Sequence, residues 1–356
     1  MKIINFTDAV TVINSKAILK RDYKEKGIFP IVSQEIELIN GYTDDSNNVI
    51  NGDGGLIGFG DHTRTIKYID FEFVKGADGL KVLKVNKEIN PKYFYFWIKS
   101  LNLKDLGYAR HFKLLKNFDI PVPSLQEQEK IVEKLDKVYE NIENKVEKEN
   151  YKINLYEKLY KSKLNQIFSN EFKKSGETEL AKFSEIISGQ SPKGEFINNS
   201  EGLEFHQGKK AFSGKFLLDS GKRTKHTTKQ VPKNTIVMSV RAPVGPVNIT
   251  QNNICIGRGL AGIIPKNANL DFMFYYLDFI KEKNTGHVGA TINSINRNEI
   301  MKIKIPNLNI EKQEKVSNKI KEILELKNEL ASNSNKTLVM LDQLKQSMLN
   351  KEFSNE

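Results

Sequence analysis

Lys209, Lys210, Lys222, Arg223, Lys225 and His226 fall within 18 positions of one another, with Gln207 just ahead of them. These side-chain types suit a nucleic acid. A lysine ammonium holds a phosphate as a point charge, the flat fork of an arginine matches the O6/N7 edge of guanine, and a glutamine amide can pair with the edge of adenine. An earlier stretch repeats the theme with Gln34, His62, Arg64 and Lys67, then Arg110, His111 and Lys113. Arg258 and Arg297 extend the later group, and Arg241 either joins it or braces the turn in Val240-Arg241-Ala242-Pro243. Each residue taken singly has a solvated-surface reading beside the functional one. As sets they point to DNA.

Catalytic patterns are missing. Gly214 to Lys222 has six residues between its outer glycines where a phosphate loop has four, and Arg223 stands where a serine or threonine would hold magnesium, so it reads as a basic loop. The run from Gly52 to Gly60 lacks the Gly-x-Gly-x-x-Gly spacing and a helix to receive it, and reads as a turn cluster. The five histidines, at positions 62, 111, 206, 226 and 287, stand beside no nucleophile pattern, and no Asn-Pro-Pro-Tyr-like element for amino methylation occurs. No cysteine pair or histidine spacing suits a metal, and the lone Cys255 cannot close an internal disulfide, which fits a cytoplasmic protein. The longest apolar run, Tyr93 to Ile98, covers six residues, far below a membrane span, and the start has no signal-peptide core.

The 356 residues are enough for two or three domains without staples, and the net charge of +11 implies a polyanionic partner unless it reflects a lysine-rich composition. The charge is not evenly spread. Residues 1–120 hold 18 basic and 15 acidic side chains, residues 121–172 hold 9 and 10, residues 173–305 hold 20 and 11, and residues 306–356 hold 8 and 8, giving +3, −1, +9 and 0. All seven arginines lie in the first and third pieces. A uniform lysine bias does not produce that partition.

The pieces that must position these residues form a tandem repeat. The stretch from Ile120 to Ile131 returns as Ile305 to Val316, a shift of 185 that keeps Pro121, Gln128, Glu129 and Lys130 identical. At the same shift Ser162, Leu164, Asn165, Phe168, Ser169, Asn170 and Glu171 reappear as Ser347, Leu349, Asn350, Phe353, Ser354, Asn355 and Glu356, which predicts helical segments of equal length. Between them the match is looser: Phe6 with Phe183, Asn90 with Asn269, Gly79-Leu80 with Gly259-Leu260. Two copies of one plan have kept their helices and changed their globular parts, which predicts two different targets.

Each helix has a start signal: a capping box of Ser124 with Glu127, and Asn309 followed by Glu311. Val132, Leu135, Val138, Ile142, Val146, Ile153, Tyr156 and Leu159 recur at coiled-coil spacing, as nearly do Val316, Ile320, Ile323, Leu330, Leu338, Leu341, Leu344 and Met348. Neither stripe can stay in water alone, so the two helices are expected to pack antiparallel within the chain. Ser332 to Lys336 interrupts the second stripe and marks a bend, a docking point or a frayed turn. The globular pieces show short apolar runs broken by Gly, Asn and Asp, then a helical aromatic row, Tyr93 to Ile98 and Phe272 to Phe279, whose matching positions make it core rather than a stacking platform. The fold class is mixed α/β.

This pattern resembles the specificity (S) subunits of type I restriction-modification systems. The resemblance covers the whole chain and rests on Ile120 to Gln128 and Ile305 to Gln313 as helix entries, Lys163 to Phe168 and Met348 to Phe353 as exits, and Ala290-Thr291-Ile292 to Pro306 as the tail of a recognition domain. It implies a target recognition domain at 1–120, a conserved helix at 121–172, a second recognition domain at 173–305 and a second conserved helix at 306–356, the helices forming an antiparallel coiled-coil spacer. It further implies double-stranded DNA with a bipartite target, two methyltransferase (M) subunits and restriction/translocase (R) subunits as partners, and no enzyme activity in this chain. No cofactor is expected here; S-adenosylmethionine, ATP and Mg would sit on the partners. The start of the first recognition unit almost at Met1 departs from members with a longer N-terminal segment, and makes closure of a ring by the termini less certain. The competing class is a coiled-coil scaffold without sequence-specific DNA binding; a single-chain restriction enzyme would need the nuclease and methylase motifs that are missing.

Overall fold

A computed structural model describes residues 2–76, 79–107, 109–281 and 294–353. The expected features at His287, at Ala290 to Ile292 and at Ser354 to Glu356 lie outside the described residues. The chain divides into two compact units, the first made of Met1–Asn150 and Asn335–Glu356, the second of Tyr151–Ser334.

The first unit is built on a four-stranded antiparallel sheet. Its strands are Val10–Ile13, Leu80–Val85, Leu56–Gly60 and Ile66–Ile69, in that order across the sheet. The helix Pro91–Ser100 packs against it with Tyr93, Phe94, Trp97 and Ile98, while Phe96 packs with Leu135, Tyr139 and Leu349; all five are buried, which settles the row as core. A smaller sheet adds a parallel strand pairing, Phe29–Val32 with Phe73–Lys75. The segment Gly52 to Gly60 is a turn with left-handed Gly54 and Gly55 leading into a buried strand, and another strand follows.

The second unit repeats the plan. Ser184–Ser188, Leu260–Pro265, Ile236–Ser239 and Val247–Ile249 form its four-stranded sheet, and Leu270–Ile280 buries the second aromatic row. Its smaller sheet again holds one parallel pairing, Leu203–His206 with Ile254–Ile256. Registers agree closely: Ile57 faces Leu83 in the first sheet, and Ile236 faces Ile263 in the second.

Pro121 and Pro306 sit in short ladders, Asp119–Val122 on Lys2–Asn5 and Lys304–Pro306 on Glu177–Glu179, just ahead of the long helices Leu125–Ser175 and Ile310–Phe353. Both start signals are made. Ser124 Oγ accepts from Glu127 N at 3.4 Å while the Glu127 carboxylate accepts from Ser124 N at 3.0 Å, and Asn309 Oδ1 accepts from Lys312 N at 3.0 Å. At the shift of 185 the helices start in register and run together, 125–168 against 310–353, and the first continues to Ser175. The second helix runs unbroken through Ser332 to Lys336.

In each unit the segments of the two helices run antiparallel. Lys134 pairs with Glu352 at 2.5 Å and Glu143 with Lys345 at 3.7 Å in the first unit, numbers rising on one helix as they fall on the other. In the second unit Glu157 pairs with Lys327 at 3.0 Å, while Leu164, Ile167, Val316 and Ile320 share the core. The seam is tighter around Leu135, Tyr139 and Leu349 than its sequence stripe suggests, and looser elsewhere, since Leu159 and Leu344 are about half exposed at 53% and 45%.

Candidate nucleic-acid interface

Both units bring three loops to one edge. In the second, Gly257 N donates to His206 O at 2.7 Å, Gly259 N to Gln207 O at 3.1 Å and Val240 N to Gly259 O at 3.0 Å. Those bonds lock the ends of the Leu203–His206 and Ile236–Ser239 strands to the turn 257–259. A side chain at 259 would run into the Gln207 carbonyl, which is why glycine stands there. The result is a cleft of about 300 Å³ lined by Gln207, Lys209, Arg241 and Arg258 among others. The first unit repeats the locks: Gly76 N donates to Val32 O at 2.8 Å and Asp61 N to Gly79 O at 2.7 Å. Asp61 thus occupies the place of Val240, and His62 that of Arg241.

The remaining sequence candidates separate by what their side chains touch. Gln34 is engaged in its own unit, its Oε1 accepting from His62 N at 3.2 Å and its carbonyl from the hydroxyls of Thr63 and Thr65. Arg64 adopts a left-handed backbone with φ 59° and donates to Leu103 O at 3.1 Å and to Asp105 at 2.7 Å. Arg110 and Lys113 are exposed on either side of the buried His111. Lys209, Lys210 and Lys222 are exposed. His226 stacks on Phe196 with ring centroids 4.0 Å apart. Arg297 is tied through Nε to Ile186 O at 2.9 Å.

Two residues expected at the surface are inside. His111 is fully buried; its Nδ1 faces Asp61 O at 3.0 Å and its Nε2 accepts from Leu106 N at 3.0 Å, so the partners fix the proton on Nδ1. It fastens Leu106 to the turn that carries His62 and Arg64. Lys67 is 5% exposed, and its ammonium donates to the carbonyls of Glu37 and Leu38. Burial pushes its pKa down from 10.5 to about 8, with Glu35 and Glu37 opposing. Both residues hold loops instead of presenting charge.

The basic cluster is also less basic than its sequence. Arg223 grips Asp219 with two bonds, at 2.9 and 2.7 Å, and holds that carboxyl well below the usual carboxylate range. Lys225 is ion-paired to Glu201. Asp219 and Glu201 are the neutralising residues that composition counting missed, although Asp219 stands only four positions before Arg223.

The recurrence of Gln128 is visible in the sequence, but its reason is not. Gln128 and Gln313 are fully buried. Each side-chain oxygen accepts from the backbone N of an N-cap asparagine, Asn90 or Asn269, at 2.8 Å, and each amide donates back to the chain just ahead of the helix, to Pro123 O or Leu308 O at 2.9 Å. The repeated glutamine bolts the helix to its globular unit. Phe353 and Phe168 do the same at the exits, Phe353 meeting Tyr93 edge-on and Phe168 meeting Phe272 at a tilt, with ring centroids 5.2 and 6.2 Å apart.

A second feature of the second unit is a groove of about 590 Å³ between its two helix segments, with Leu159, Ile323 and Leu326 inside and Lys163, Lys315 and Lys319 along its rim. Among the described residues no helix is long and apolar enough to cross a membrane.

The architecture and these sequences have known relatives. The family model described as the type I restriction modification DNA specificity domain matches residues 1–155 and again 172–339. The chain belongs to this family. The relatives it matches are named as specificity subunits, in line with the family's description. A chain of Methanocaldococcus jannaschii named as the MjaX type I restriction enzyme specificity subunit is 32% identical over 287 residues, 72% of this chain and 66% of that one. The match therefore spans just under two thirds of that relative. The EcoR124I/EcoR124II specificity subunit of Escherichia coli is 24% identical over 83% of this chain and 79% of its own length. Among solved structures, a chain from a study of assembly and conformational transition of a type I R-M system has the same fold, with a TM-score of 0.77 at 20% identity over 98% of this chain and 96% of that one. The HsdS subunit of Thermoanaerobacter tengcongensis gives 0.57 at 20% identity, over 99% and 96%. The specificity family is thus a mixed α/β fold with two long helices, as expected from the repeat.

Proposed function

We propose that this specificity chain reads a two-part sequence in duplex DNA, one half with each recognition domain, and that its long helices dock two methyltransferase (M) subunits, with restriction/translocase (R) subunits joining for cleavage. S-adenosylmethionine, ATP and magnesium then belong to those partners, and the assembly works in the cytoplasm. The observation that carries the reading is one loop edge built twice with different side chains, His62 standing where Arg241 stands in the second copy. A shared scaffold with unequal readers is what two unlike half-sites require. The charge excess of residues 173–305 supports the DNA partner, 20 basic against 11 acidic side chains. The lysine-rimmed groove along the helices supports a protein partner there.

The test is an exchange of residues 1–120 for the matching segment of a homologue, followed by mapping of modified adenines in a host carrying the complex. One half of the modified sequence is expected to change while the other stays. If both halves change, or neither does, independent reading is wrong; a pure scaffold would leave the map untouched.

A further inference from the structure

Three of the seven arginines carry guanidinium groups with no hydrogen bond or ion pair among the described residues: Arg110, Arg241 and Arg258. The other four are engaged, Arg21 with Asp22, Arg64 with Asp105, Arg223 with Asp219 and Arg297 with Ile186 O. Two of the unengaged three line the same cleft, together with Gln207.

That cleft has a rigid frame and unengaged heads. The backbone beneath Arg258 is fixed by glycines on both sides, with Gly257 N on His206 O at 2.7 Å and Gly259 N on Gln207 O at 3.1 Å, and Arg258 N itself donates to Ser191 Oγ at 3.3 Å. Arg241 is fixed from the other wall, where Ser239 Oγ donates to Arg241 O at 3.1 Å and Gly245 N donates to Ser239 O at 3.0 Å. A reader needs this division, a backbone already in place and donors left for the ligand. The neighbouring cluster at 219–225 shows the opposite: Asp219 and Glu201 already satisfy Arg223 and Lys225.

Resting on the specificity reading above, we propose that Arg241 and Arg258 are the base-reading residues of the second recognition domain, and that the half-site it reads contains guanine taken by an arginine fork, with Gln207 placed for a flanking adenine edge. Arg223 and Lys225 brace the loop beside it. An arginine can grip guanine O6 and N7 with two parallel bonds, and each such pair discriminates against the wrong base by about tenfold or more. A lysine in its place keeps the charge and loses the fork. A phosphate contact tolerates that exchange; a guanine contact does not.

The experiment uses the full-length chain co-purified with its methyltransferase subunits, selecting from a pool of random-sequence duplex DNA, with wild type, R241K, R258K, Q207A and R223K compared. Wild type is expected to enrich a two-part sequence. R241K or R258K should lose at least about tenfold preference at a guanine of one half only, with binding to the unselected pool unchanged within about twofold. Q207A should relax an adjacent position, and R223K should leave the enriched sequence as it was. An unchanged sequence in both lysine variants, or a weakening spread evenly over all sequences, overturns the assignment by showing that these arginines face solvent or phosphate. Should wild type enrich no two-part sequence, the bipartite reading itself falls; melting temperatures of the variants within a few degrees of wild type exclude misfolding as the cause.

Discussion

Lys67 shows what residue type alone does not reveal. It stands in a period-two strand, Ile66–Ile69, on which a lysine normally faces water, and nothing in the sequence says that the loop 33–40 closes over it. Its ammonium joins that loop through Glu37 O and Leu38 O, and Asn40 Oδ1 accepts from Ser33 N at 2.8 Å to complete the hold. With a folded pKa near 8 against 10.5 in the open chain, the native state releases this proton first. Unfolding between those values takes a proton up, so Lys67 makes stability rise as pH rises from about 8 to 10.5 and contributes no slope below. In urea melts at pH 7.5 and 9.5, wild type is expected to gain on the order of 1–2 kcal/mol relative to Lys67→Met, since each tenfold difference in proton affinity between the folded and open chains is worth about 1.4 kcal/mol. Parallel pH profiles for the two proteins would show that the lysine is solvated. The same blindness to partners explains the cluster at 209–226: the lysines were legible, and the carboxylates that cancel two of its cations were legible only as spacing.

At the level of elements the sequence carried most of the fold, because elements are set by local pattern. Capping signals placed both helix starts, the aromatic rows were recognisable as core from matching positions, and the apolar runs fall on strands such as Leu80–Val85 and Ile236–Ser239. What stayed hidden was how elements are fastened, since that needs residues distant in sequence. Gln128 and Gln313 are the clearest case, each linking a long helix to the cap of a short one, Gln128 through Asn90 N, Glu88 O and Pro123 O and Gln313 through Asn269 N and Leu308 O. Gln128→Leu or Gln313→Leu keeps volume and strands the asparagine N–H and a carbonyl. Each replacement is expected to lower stability by about 1–3 kcal/mol per buried group left unpaired. Thermal melts check it. Gln128→Glu, which keeps an acceptor and loses the donor, should fall between Leu and wild type; a leucine variant as stable as wild type would mean that water serves the freed groups.

For the whole molecule, the proposed reading of two half-sites predicts that the number of unread base pairs between them is set by the helices, and the structure supplies the place to test it. Lengthening one helix alone would break the antiparallel register. Glu143 stands beside Lys345 at 3.7 Å, so an insertion near Asn144 must be matched by one near Leu344. Four residues in each add one turn, about 6 Å at about 1.5 Å per residue, and leave the apolar stripe within about 40° of its original direction. Duplex DNA rises about 3.4 Å per base pair along each strand. The doubly lengthened chain, in complex with its methyltransferase subunits, is therefore expected to modify a sequence whose halves are unchanged and whose spacer is longer by about one or two base pairs. The loop edges that carry His62 and Arg241 lie outside the insertion and keep their backbone locks. A single insertion near Asn144 should do worse than the pair, losing stability through the mismatched seam. If the paired variant still modifies the original spacing, the spacer is fixed by something other than helix length, and a change in either half-site would mean that the loops and the helices are not independent.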